Sequence, residues 1–322
     1  METNLFYPET GDGWQLYLKR SRDPGTFNAR LRPLAIVPGY GMNSFILGYH
    51  PNGLSMVEYL TGAGFEVWTM NLRSQEGTTQ RGGPRDYGFR EIVREDLPAV
   101  FEIVRAKTRS RRKRIDVIGC SLGGTYVYAY AALHRRNPLA SIVGLGAPLR
   151  WVEIHPALRV AFSSPALIGK LRLFYTRQLC RLGLPIAARI PKLLHLYLHP
   201  EIVDLSQSGK LVQTVEDPNP RLNREIAEWI RDRDLTIDGV NISEAFRQVT
   251  NPLLCLTTNA DGIVPLATAL TALDLASSAV KDTHVAGTNS IPMAHADLYI
   301  SRYAQEQAFV PLSNWLLARY NT

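Results

Sequence analysis

Short, nearly continuous apolar runs alternate along this chain with longer stretches in which apolar residues recur every three or four positions. The runs at 34–38, 65–71, 115–120, 141–145, 253–258 and 280–285 predict strands, most of them apolar enough to be buried on both faces. The stretches at 54–63, 92–106, 122–134, 266–276 and 298–320 predict helices. Alternation of this kind implies an α/β fold, a mostly parallel sheet flanked by helices. In such folds the chemistry gathers at the carboxyl ends of the strands.

The alternation fails between the strand ending near Gly146 and the one starting near Leu253. A crossover needs little more than a helix and two short loops, so this stretch predicts an insertion. Pro156, Pro165, Pro185, Pro191, Pro200, Pro218 and Pro220 cut it into short helical pieces, and Leu167, Leu171, Tyr175, Leu179 and Leu182 fall at helical spacing. The expected division is a core over 1–150, a helical cap over 151–250 and the rest of the core over 251–322. Residues 151–200 hold seven bases and one acid, Glu153, whereas 201–250 hold six bases and ten acids. The apolar face beside Lys170, Arg172, Arg177, Arg181 and Arg189 is read as a helix packed on its own domain. Peripheral contact with a membrane surface, or with an anionic substrate group, is the alternative.

Composition narrows the class. The chain has 322 residues, 45% hydrophobic and 20% charged, the balance of a soluble globular protein. No window reaches 18 consecutive apolar residues, and the first fifteen residues carry neither a basic leader nor an apolar run, so neither secretion nor membrane spanning is expected. Cys120, Cys180 and Cys255 are widely separated and match no metal-ligand spacing, which suits a reducing cytoplasm. The formal charge of +7 is densest at 105–114, where seven of ten residues are basic. No nucleic-acid motif accompanies that run, so it is read as a solvated loop and no nucleic-acid partner is expected. Oligomeric state is not legible at this level.

The sharpest chemical feature is Gly119-Cys120-Ser121-Leu122-Gly123, followed by Gly124. The string alone is weak evidence, but a predicted strand enters it and a predicted helix leaves it, the setting a nucleophile elbow requires. A Cβ at 119 or 123 would crowd the neighbouring strand and helix. A serine hydroxyl needs a general base, held in the right tautomer by an acid. Asp261 lies on a turn just past the strand at 253–258, and His295 follows the last strand, giving the order Ser, Asp, His. Each has a plainer rival: Ser121 as a helix cap, Asp261 as a turn residue with Glu153 as the alternative acid, and His50, His134, His155, His195, His199 or His284 in place of His295. Asp297 is assigned to the first turn of the terminal helix, where negative charge is favourable. No H-E-x-x-H, paired cysteines or acidic cluster is present, so no metal is expected. Gly82-Gly83-Pro84 lacks a phosphate-loop Lys and reads as a loop at the pocket rim, so no nucleotide cofactor is expected either.

Outside the insertion the chain resembles the α/β-hydrolase superfamily. Pro38-Gly39-Tyr40-Gly41-Met42-Asn43, 65–71 and Asp96-Leu97-Pro98-Ala99 resemble the branch holding acid lipases and polyhydroxyalkanoate synthases. The resemblance implies a triad of Ser121, Asp261 and His295, and an oxyanion hole made by the backbone N–H groups of Tyr40 and Leu122. It departs from the family where Pro38-Gly39 stands in place of His-Gly, and from the synthases where serine replaces their cysteine. Cys120 cannot serve in a shifted frame, because Ile118 and Leu122 occupy the glycine positions, and it reads as a buried strand residue. The implied activity is cleavage of a small or lipid-like ester with an apolar acyl group. Acyl transfer to an alcohol or thiol is the second reading, and a catalytically silent binding module the third.

Overall fold

The computed structural model describes residues 1–170, 175–187 and 194–320. Among them, eight strands form one sheet. They are β1 (Glu2–Phe6), β2 (Tyr17–Arg22), β3 (Leu34–Val37), β4 (Val67–Asn71), β5 (Ile115–Cys120), β6 (Leu139–Leu145), β7 (Leu253–Thr258) and β8 (Lys281–Ala286). Their spatial order is β1-β2-β4-β3-β5-β6-β7-β8, antiparallel over the first three and parallel beyond. Every residue of β3 to β7 is buried, as expected of strands covered on both faces.

Helices α1 (Met56–Gly62), α2 (Leu97–Lys107) and α3 (Leu122–Leu133) connect the central strands. The helix expected at 92–106 starts earlier, at Phe89, and passes through a widened turn over Ile92–Asp96, where the N–H of Leu97 donates to Ile92. The cause is Pro98, which has no N–H to give and would clash with the turn behind it. The same device recurs at Gln305–Phe309, ahead of Pro311 in the terminal helix α9 (Val310–Ala318).

Between β6 and β7 the chain leaves the sheet. It forms α4 (Pro156–Ala161), α5 (Pro165–Ile168), α6 (Thr176–Ala187) and α7 (Pro220–Asp232), then returns through α8 (Ile242–Phe246), which packs against α3. Proline stands in the first turn of α4, α5 and α7, where its missing N–H costs nothing. Among the described residues, the apolar stripe expected to be packed is not. Leu167 lies in α5 and Leu179 and Leu182 in α6, so the stripe is split, and all three with Tyr175 are 60–72% exposed. Leu171, Arg172 and Arg189 lie outside the described residues.

Gly82-Gly83-Pro84 also sits elsewhere than expected. Rather than forming the rim of the cavity beside Ser121, it packs under Trp14, whose indole N–H donates to Pro84 O at 3.0 Å, while Gly83 N–H donates to Gly13 O at 3.0 Å.

Candidate active site

Strand β5 ends at Cys120 and α3 begins at Leu122, so the whole turn is one residue, Ser121, at φ 52° and ψ −124°. A non-glycine residue with this backbone is strained by about 1–3 kcal/mol and persists only where its surroundings fix it. Here Ser121 N–H donates to Leu145 O at 2.8 Å, and Gly124 N–H donates back to Ser121 O at 2.9 Å. Close packing demands the glycines: a Cβ at Gly119 would lie 2.3 Å from Gly124 Cα, and one at Gly123 would lie 2.4 Å from the carbonyl oxygens of Val37 and Pro38. The Ser121 side chain makes no capping bond to α3, so the plainer role of helix cap does not hold it.

Asp261 follows β7 by three residues. Its Oδ1 accepts the backbone N–H groups of Ile263 and Val264, both at 2.8 Å, which fixes the carboxylate plane. Its Oδ2 lies 2.7 Å from His295 Nδ1, and both side chains are buried. An ionised carboxylate only accepts, so Nδ1 carries the ring proton and Nε2 is left as an acceptor. Glu153 is exposed, its backbone tied to Thr268, and His295 takes Asp261 as its acid partner instead.

Two glycines whose close approach to the site sequence analysis did not foresee shape it. Gly146, just past β6, has φ +58°, and a Cβ there would stand 3.1 Å from His295 Cε1 and 3.6 Å from Asp261 Oδ2. A Cβ at Gly39 would stand 2.8 Å from Cys120 O and 3.0 Å from Ser121 Cβ. For Gly146 the available signal was a glycine directly after a strand; for Gly39 it was the motif that also carries Tyr40.

Ser121, Leu122, Tyr40 and His295 line one cavity of about 240 Å³. Met42, Ile46, Pro148, Ile263 and Val264 wall it from the core, and Trp151, Leu158, Phe162, Tyr197, Ile226, Trp229 and Ile230 from the insertion. No Asp, Glu, Lys or Arg is among the lining residues. Within the described residues no acceptor takes the backbone N–H of Tyr40, and that of Leu122 stands in the first turn of α3, where helical N–H groups lack partners. The Tyr40 phenol, pushed up by burial, stays neutral and donates to Asn223 Oδ1 at 2.5 Å.

The remaining histidines have other occupations. His155 caps α4, His134 stacks on Tyr130, and His50 and His284 sit against the carbonyls of Ser301 and Gln307. His195 pairs with Glu201. His199 pairs through Nδ1 with Asp297 at 2.9 Å. Asp297 does not serve the terminal helix: it opens a separate short one, Asp297–Ile300, is fully buried and also accepts the N–H of Ala294 at 2.7 Å. Ala296 N–H donates to Tyr197 O at 2.7 Å and Arg302 N–H to Ile202 O at 2.9 Å, so the loop bearing His295 is stitched to the insertion.

Asp96, singled out in the sequence, is a buried partner of the equally buried Arg73. The guanidinium reaches it at 2.7 and 2.9 Å and Asp12 at 2.7 Å. Cys120 is buried at the end of β5, and burial pushes its thiol up to about 12, away from any nucleophilic role. Among the described residues no cluster of His, Cys, Asp and Glu is arranged to hold a metal, and no helix is long and apolar enough to cross a membrane.

Comparison with known proteins places the fold. Residues 32–275 match a family model described as the alpha/beta hydrolase fold. Among solved structures, an esterase from Rhodococcus sp. ECU1013 is 16% identical, with 98% of each chain covered and a TM-score of 0.64. A hydrolase from Pseudomonas aeruginosa PA01 is 14% identical over 98% of each chain, at 0.62. A monoacylglycerol lipase from Paleococcus ferrophilus is 15% identical over 94% of this chain and 98% of its own, at 0.58. At these identities the likeness is one of fold. No curated protein matches the sequence.

Proposed function

Because the chain belongs to the α/β-hydrolase family, we propose that it is a serine hydrolase that cleaves carboxylic esters of apolar acyl groups. Ser121 Oγ attacks the ester carbonyl carbon and its proton passes to His295 Nε2, while the Asp261 carboxylate stabilises the imidazolium that forms. The carbonyl oxygen becomes an oxyanion facing the N–H groups of Tyr40 and Leu122, donors worth roughly 3–4 kcal/mol each to the transition state. Collapse breaks the ester C–O bond, and the departing alkoxide takes the proton from His295. Water, deprotonated by the same ring, then attacks the acyl-serine carbonyl carbon; collapse breaks the acyl–Oγ bond, His295 returns the proton to Ser121 Oγ, and the carboxylic acid leaves.

One observation carries this reading: the 2.7 Å Asp261–His295 pair opens on the same apolar cavity as a strained serine whose hydroxyl does not cap its helix. The uncharged lining favours a neutral acyl chain, and about 240 Å³ suits a short aliphatic or aromatic one. The test is labelling by a serine-directed fluorophosphonate, with a chain-length series of chromogenic esters. Labelling and turnover are expected in the wild type and lost in Ser121→Ala; undiminished labelling of that variant refutes the proposal. Added alcohols decide hydrolysis against acyl transfer, since diversion of product at low acceptor concentration would make water the lesser acceptor.

The exposed Leu179 and Leu182, three residues apart on one face of α6, with the exposed Tyr175 just ahead of the helix, support a further proposal on partners. Arg177 on α6 is paired with Glu76 and Glu216, but residues 151–200 as a whole hold seven bases and one acid, and that excess beside the exposed apolar residues is suited to an anionic membrane surface.

A further inference from the structure

The loop that carries Tyr40 is bound along its outer side to the insertion. Gly41 O accepts from Glu216 N–H at 2.9 Å, and Asn43 N–H donates to Thr214 O at 2.8 Å, so Met42 and Val215 pair as an antiparallel bridge. Asn43 Nδ2 adds bonds to Gln213 O at 3.0 Å and Glu216 Oε1 at 2.5 Å. At the loop's inner end the Tyr40 hydroxyl donates to Asn223 Oδ1 at 2.5 Å. Asn223 lies on α7, is 1% exposed, and sits 183 residues away along the chain.

A buried amide facing a half-buried phenol is costly unless the two satisfy each other, so this pair has one favoured arrangement. The Tyr40 ring connects it to the Tyr40 backbone, whose N–H has no acceptor among the described residues, and Tyr40 lines the cavity beside Ser121. An oxyanion donor gains its worth from being fixed before charge develops, and small misplacements are expensive. We propose that Asn223 is a positioning residue: by holding the Tyr40 hydroxyl it aims the Tyr40 N–H at the developing oxyanion. The insertion then contributes to the transition state itself, beyond walling the acyl pocket. This rests on the serine-hydrolase reading above.

The test uses the full chain in three forms, Tyr40→Phe, Asn223→Leu and the double variant. Each single change is expected to lower kcat on a chromogenic ester about tenfold with KM within twofold, and the double variant to be no worse than either, because one bond is lost in all three. Affinity for a trifluoromethyl ketone, which adds to Ser121 and forms an oxyanion, is expected to fall by the same factor. Affinity for the matching trifluoromethyl carbinol, which fills the pocket without forming one, is expected to hold. A Tyr40→Phe enzyme with kcat and ketone affinity within twofold of wild type overturns the inference. So does equal weakening of ketone and carbinol, which would assign the pair to pocket shape. If Asn223→Leu does not fold, Tyr40→Phe, which removes a single oxygen, decides alone. A wild type that fluorophosphonate labels at Ser121 while Tyr40→Phe stays unaffected loses only this inference; an unlabelled wild type loses the hydrolase reading as well.

Discussion

Replacing Asp261 with Asn removes a charge and also reverses a hydrogen bond, because the surrounding backbone dictates how the new amide must sit. Oδ1 accepts two N–H groups at 2.8 Å, from Ile263 and Val264. An asparagine that keeps its oxygen there must turn its NH2 toward His295 Nδ1, which Asp261 Oδ2 now meets at 2.7 Å. Nδ1 then has to accept, so the ring proton moves to Nε2, the nitrogen required to take the proton of Ser121. Flipping the amide restores the ring's tautomer but sets an NH2 against two backbone donors, at about 1–3 kcal/mol for each donor left unsatisfied. The imidazolium also loses its counter-charge. Together these predict a fall in kcat of about 10⁴-fold, or roughly 5.5 kcal/mol at 1.36 kcal/mol per decade, with KM changed by no more than about threefold. Steady-state hydrolysis of a short-chain nitrophenyl ester reads it, with circular dichroism to establish that the variant folds. A kcat within tenfold of wild type would refute the argument and leave Asp261 as a turn residue.

Further expectations follow from the same geometry. Gly146→Ala puts a Cβ 3.1 Å from His295 Cε1 at a backbone with φ +58°; it should lose about 1–2 kcal/mol in urea denaturation and about tenfold in kcat, and unchanged kinetics would deny contact with the ring. Asp96→Asn leaves the buried Arg73 with only Asp12 as a charged partner and should cost about 3 kcal/mol of stability, read from the urea midpoint. Cys120 and Cys255 are buried and each pushed up to about 12 by desolvation, so at pH 8 only the half-buried Cys180 should react with a disulfide reagent before unfolding. Two or more native thiols titrating quickly would contradict that burial. Leu179→Asp with Leu182→Asp should abolish sedimentation with anionic vesicles while leaving turnover of a soluble ester intact; equal binding to neutral and anionic vesicles would count against the charged-face proposal.

Much of the sheet was legible because its central strands are apolar on both faces: the runs at 115–120 and 253–258 coincide with β5 and β7. The antiparallel pair β1 and β2 left no such trace. Glu2–Phe6 buries none of its residues fully, and Tyr17–Arg22 carries Lys19, Arg20 and Arg22, with Arg20 paid for by Asn4 and a carbonyl at Lys107. The elbow could be read because a strand, a turn and a helix adjoin in sequence. The contacts that refine the site could not, since they join distant segments: Asn223 with Tyr40, His199 with Asp297, Gly146 with His295. Helical spacing misled at 167–182, where it linked Leu167 to Leu179 and Leu182 across two separate helices. Periodicity reports a face, and whether that face is covered depends on partners lying elsewhere in the chain.

The stitching of the insertion to both the Tyr40 loop and the His295 loop bears on any attempt to pare this enzyme down. Excising the residues between β6 and β7 would spare the sheet and its serine, yet it would strip hydrogen-bond partners from the two loops flanking that serine. A minimal version would need surrogate anchors for both loops before it needed a new lid.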